Sequence, residues 1–164
     1  MALSNNTSRK SRTGLRQVLI DIVNSLDGIY SGFCVDTDGL LIEEVNLEGT
    51  LGKESSLILC SLAAGIQSNM DTIGHEIGSS PWVSFTAESN NYKFFIRAIG
   101  RVAFLGVLTD PYVDLELLKL IIGPAIDSIL QIIQQWSPLK RPQSKFFSLS
   151  ITQKDLEDIL TMKK

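Results

Sequence analysis

The sequence predicts an α/β/α sandwich built on a five-stranded antiparallel sheet, with elements in the order α-β-β-α-β-β-β-α and a C-terminal extension. Three observations predict it. Amphipathic helical stretches and β-rich runs alternate in that order along the chain. The strand joints Ser89-Asn90-Asn91 and Gly100-Arg101 are too short for anything but antiparallel neighbours. Finally, the strands are apolar on both parities, Phe94 and Ile96 against Phe95 and Ile99, and Phe104 and Leu108 against Leu105 and Val107. Such strands need helices on both faces.

Each element has its own signal. Leu15, Val18, Leu19, Ile22, Val23 and Leu26 recur at three- and four-residue spacing behind Thr13, a candidate N-cap, and Gly28 stands where a left-handed C-cap belongs. Ile29 to Val35 and Leu40 to Val45 form a hairpin about Asp36-Thr37-Asp38-Gly39, with Gly39 at the position that wants positive φ. Glu54 to about Ile77 reads as a helix that Gly65 and Gly74 weaken without breaking. Trp82 to Glu88, Tyr92 to Ile99 and Val102 to Thr109 make a meander, and a helix runs from about Asp114 to Trp136. Pro124, inside that last helix, predicts a kink or a break.

The domain plan is then a disordered N-terminal tail over 1–13, one domain over 14–136, and a C-terminal extension over 137–164. The 164 residues, 44% hydrophobic, suit one domain with tails. The longest apolar stretches are interrupted by Ser61, Lys119 and Asp127, so no integral membrane span is expected. Residues 1–14 lack the apolar core of a secretory signal, and Ala2 excludes N-myristoylation, which makes the cytoplasm the expected compartment.

Charge excludes one class of function. Between Gln17 and Trp136 there are 15 acidic and 5 basic residues, a net of −10, while both ends are basic. Nucleic-acid binding by the folded part would need a basic patch, and none is expected. Cys34 and Cys60 lie far apart without a neighbouring Cys or His, and read as small buried hydrophobes.

No catalytic or metal set accompanies the fold signal. Gly49 to Glu54 resembles a phosphate loop, but Leu47 stands where its first Gly belongs and Glu54 where its Ser or Thr belongs. His75 is the sole histidine, near a helix end and without a nucleophile motif. Glu43 and Glu44 alternate across a strand and so face opposite ways. Neither a cofactor nor a metal is expected.

The segment Gly28-Ile-Tyr-Ser-Gly-Phe-Cys-Val-Asp-Thr-Asp-Gly-Leu-Leu-Ile, the small-residue-rich Ser61-Leu-Ala-Ala-Gly helix, the meander and the closing helix together resemble the roadblock (dynein light chain type) family. The resemblance covers roughly Leu15 to Gln135, and departs from the family's pattern at Gly123-Pro124 and in the long tail. It implies a profilin-like sandwich that dimerises and, without catalysing anything itself, binds or regulates a Ras-like small GTPase. The partner's hydrolysis or exchange is modulated, or the partner is tethered to a larger complex on a membrane or the cytoskeleton.

The second helix independently suggests pairing. Leu59, Ala63, Ile66, Met70, Ile73 and Ile77 form a stripe suited to the sheet, and Leu57, Cys60 and Ala64 form a second stripe. The resemblance implies that this second stripe meets the same helix of a second copy or of another roadblock-type subunit. In that arrangement the Trp82 to Glu88 strand pairs edge to edge. Ser84, Phe85 and Thr86 offer no charge to block such pairing until Glu88. Arg101, in a tight turn, projects outward and is a candidate for touching a partner, with a solvated turn arginine as the simpler reading.

In the extension, Phe146-Phe147 and the helical positions Leu156, Ile159 and Leu160 are too apolar for a free linker. They are expected to dock on the chain's own body or on a partner. The alternative function is a small-molecule sensor of profilin- or PAS-like architecture, which would need a concave pocket carrying a polar group.

Overall fold

The computed structural model describes residues 3–47, 52–79 and 82–136. Three helices, α1 (Leu3–Val23), α2 (Lys53–Glu76) and α3 (Leu115–Trp136), surround five strands: β1 (Ile29–Asp36), β2 (Leu41–Asn46), β3 (Ser84–Glu88), β4 (Lys93–Ile99) and β5 (Ala103–Thr109). The strand order is β2-β1-β5-β4-β3, antiparallel at every joint. This is the sandwich and the element order that the sequence predicts.

Side-chain parity decides which layer each strand residue serves. Phe33, Val35, Phe94, Ile96, Phe104 and Leu108 cluster with Cys60 and Ala63 of α2 on one face. Cys34, Phe95, Ile99, Leu105 and Val107 pack with Leu15, Leu19, Leu118, Ile122 and Ile129 of α1 and α3 on the other. A single helix therefore covers one face and two helices the other.

The turns obey local chemistry. The Asp38 and Leu40 amides both donate to Asp36 Oδ1 at 2.9 Å, and Gly39 takes φ +83°. A Cβ at Gly39 would sit 3.4 Å from that of Ala64, so the hairpin tip lies directly on α2. Asp114 caps α3 by accepting from the Glu116 amide at 2.8 Å and the Leu117 amide at 3.3 Å.

Three boundaries differ from expectation. α1 runs from Leu3 straight through Thr13, so Thr13 lies within the helix rather than at its cap. The same helix ends at Val23, and Gly28, with φ +89°, serves the turn into β1 instead of a helix cap. There its carbonyl accepts from the Asp110 amide at 2.8 Å. α3 is one helix, with Pro124 inside it and no break. The proline sits on the solvent side, and Leu120, whose carbonyl loses its i+4 donor, is 73% exposed, so water can replace the missing bond.

Candidate partner interface

α2 meets the sheet through its small residues. Ser56, Cys60 and Ala63 are buried with Leu59 and Ile66 beside them, and their size lets the helix approach Phe33 and Phe104 closely. This corrects the expected division of the helix. Cys60 belongs to the sheet-facing side, and Ala64 is half-buried against the hairpin tip. Ile73 and Ile77, expected to face the sheet, are exposed: they lie at the C-terminal end of α2, Ile77 being its cap residue. Of the three residues assigned to the second stripe, Leu57 alone is exposed, at 55%.

The outward apolar stripe consists instead of Ile58, Leu62 and Ile73, at i, i+4 and i+15, with Gly65 and Asn69 between them. Ile58 is 66% exposed and Leu62 47%, and a Cβ at Gly65 would meet nothing, so the middle of the stripe is open. Missing this face in the sequence has a simple cause. The small residues of α2 are what fix its rotation, and they are weak markers of a hydrophobic side.

β3 pairs with β4 alone, which leaves its other edge open among the described residues. Ser84, Phe85 and Thr86 are all half-buried there, and Phe85 packs against the α2-side cluster. The opposite edge, β2, is guarded. Arg16 Nη1 donates to Glu43 Oε1 at 2.8 Å and to the Glu44 carbonyl at 3.1 Å, occupying a main-chain acceptor of that strand. Glu43 and Glu44 face opposite ways, as expected, and Glu44 lies on the α2 side, where Ser56 and Asn46 donate to it.

A second feature lies where the hairpin tip, α2 and the β4–β5 turn converge. A cleft of about 280 Å³ is lined by Thr37, Gln67, Asp71, Trp82, Ala98, Gly100, Arg101 and Phe104. Trp82 reaches it because Gly74 has no side chain: a Cβ there would fall 2.8 Å from the indole nitrogen. Arg101 stands on the rim with no ion pair among the described residues. Trp82 and Arg101, singled out for unrelated reasons, are thus brought together. Thr37, Gln67 and Asp71 have no sequence signature that joins them to that pair, since three separate elements supply the wall. Phe146, Phe147, Leu156, Ile159 and Leu160 lie outside the described residues.

The chemistry of the interior is inert. Burial pushes the Cys34 thiol up to about 12, with Asp36 and Cys60 adding to it, and burial pushes Cys60 up to about 11, with Glu44 adding. Neither is a nucleophile near neutrality. Among the described residues no group of His, Cys, Asp and Glu is placed to hold a metal ion, and no helix is long and apolar enough to cross a membrane.

No family model and no curated protein matches the sequence. Solved structures do match the fold. MglB of Myxococcus xanthus superposes with a TM-score of 0.69 at 22% identity, over 79% of this chain and 95% of that one. A Roadblock/LC7 domain from Streptomyces avermitilis gives 0.67 at 18% identity, over 73% and 97%. An MglB described as having a tetrameric arrangement gives 0.71 at 13% identity, over 77% and 93%.

Proposed function

Since this chain has the roadblock fold, we propose that it is a non-catalytic subunit that pairs through α2 and β3 and serves as a scaffold or regulator of a Ras-like small GTPase. The observation that carries the pairing is the presence of two unsatisfied surfaces. Among the described residues, an outward apolar stripe on α2 (Ile58, Leu62, Ile73) is uncovered, and the edge strand β3 (Ser84, Phe85, Thr86) is paired on one side alone. A second copy, or another subunit of the same fold, satisfies both at once: strand joins strand by main-chain hydrogen bonds, and helix covers helix. Leu57 flanks the stripe, and Trp82, packed at Gly74 of α2, leads into the β3 edge. Cys60 and Ala64 support it from beneath by setting the height of α2.

The GTPase partner rests on the fold together with the resemblance of the hairpin and helix segments. A regulator of this kind changes rates by positioning the GTPase's own groups, so hydrolysis or exchange stays in the partner's active site. Such a subunit works in the cytoplasm and reaches membranes or the cytoskeleton through what it binds.

Sedimentation equilibrium tests the pairing. The parent chain is expected to be dimeric at about 10 µM, a concentration at which an interface of standard size is populated. Ile58→Asp with Leu62→Asp is expected to give a folded monomer. A parent chain that stays monomeric sinks the pairing. Binding of a panel of purified Ras-like GTPases, loaded with GDP or a GTP analogue, tests the partner. Complex formation that depends on the nucleotide is expected, and no complex in either state would overturn the GTPase reading.

A further inference from the structure

We propose that the cleft between Thr37, Asp71, Trp82 and Arg101 is the seat of the chain's own 137–164 segment. The Phe146-Phe147 pair would lie over Trp82 and Phe104, and the preceding bases would face Asp71.

The path of α3 makes this the near destination. A Cβ at Gly100 would lie 3.5 Å from Leu130 Cδ1, so α3 passes the β4–β5 turn at Leu130. It continues to Trp136, which carries it roughly 9 Å beyond that end of the sheet. The cleft opens at the same end of the sheet, around Gly100 and Arg101, on the α2 face. Crossing from the α3 layer to the α2 layer takes about 20 Å, at roughly 10 Å per layer. The ten residues from Trp136 to Phe146 span up to about 33 Å when extended.

Composition agrees with position. Residues 137–150 carry Lys140, Arg141 and Lys145 and no acid, against a folded part with a net charge of −10 over 17–136. Asp71, exposed on the cleft wall, offers these bases a carboxylate. Arg101, unpaired among the described residues, offers a guanidinium to stack on a phenyl ring. The cleft volume of about 280 Å³ admits an aromatic side chain over the indole of Trp82. Its polar side chains, Thr37, Gln67, Asp71 and Arg101, all reach solvent at least in part, which suits a chain segment better than an enclosed metabolite. The outward stripe of α2 is left free for a second copy, so this docking stands apart from the pairing proposed above.

Trp82 reports the docking directly, because Trp136 is the other tryptophan and a Trp136→Phe chain has a single indole. Within that full-length background, Phe146→Asp with Phe147→Asp is expected to raise acrylamide quenching of Trp82 about threefold, through loss of the local cover. Asp71→Lys is expected to raise it as well, and dilution from about 100 to about 1 µM to leave the parent's quenching unchanged, as an intrachain contact requires. Equal quenching in the parent and the Asp pair would overturn the proposal. So would protection that appears only on concentration, which would assign the segment to another copy. Amide exchange on the unaltered sequence gives a second reading: residues 98–104 are expected to exchange faster in the Asp pair, and equal rates overturn the docking.

Discussion

At the scale of the residue, two positions show how tightly the interior is determined. Gly106 lies in β5 directly beneath the ring of Phe33, and a Cβ there would collide with three ring atoms. Phe33 cannot swing aside, since it is fully buried and stacked on Phe94 at 5.8 Å. Gly106→Ala is therefore expected to lower stability by about 1–3 kcal/mol, read as a lower urea midpoint at unchanged slope. Cys34 sets a limit at high pH. Its native pKa of about 12 lies above the ordinary 9.0, so the thiol's contribution is complete below pH 9. Between pH 9 and 12 the unfolded chain ionises while the native thiol does not, and stability falls. Urea midpoints across that window are expected to drop in the parent, and to drop less in Cys34→Ala. The burial of Cys34 was legible from its apolar strand. That Gly106 exists for a particular ring was not, because the contact joins residues 73 positions apart.

At the scale of the element, legibility followed the strength of periodicity. The hairpin about Gly39 and the meander from β3 to β5 were readable because turn residues and short joints are local constraints. α2 was readable as a helix but not in its rotation. Leu57, Cys60 and Ala64 look like one stripe on paper, yet the sheet draws in Ser56, Cys60 and Ala63 and turns Ile58 and Leu62 out. α3 shows the opposite case, where a strong local rule yielded to context. Its buried row of Leu118, Ile122, Ile129 and Ile133 holds the helix continuous through Pro124. The proline remains a cost carried by an exposed carbonyl. Pro124→Ala is expected to raise stability by about 1–2 kcal/mol, part of the proline penalty being offset by its stiffening of the unfolded chain, and calorimetry would show a higher Tm.

At the scale of the whole molecule, the fold was legible from element order and the surface of the proposed pairing was legible only in outline. That edge strands would be left over follows from the sheet being open. The identity of the exposed side chains depends on packing that no sequence window contains. The cleft at Arg101 was invisible for the same reason, since its walls come from the hairpin tip, the middle of α2 and the β4–β5 turn. The two edges of the sheet differ in a way that limits growth. Arg16 holds a main-chain acceptor of β2, while among the described residues β3 bears no such guard. A building block with one sticky end and one blocked end has a valency of one. Were two copies to join through β3 as proposed, both open edges would be consumed and the Arg16-guarded β2 strands would face outward, so lateral growth of the sheet would stop at two.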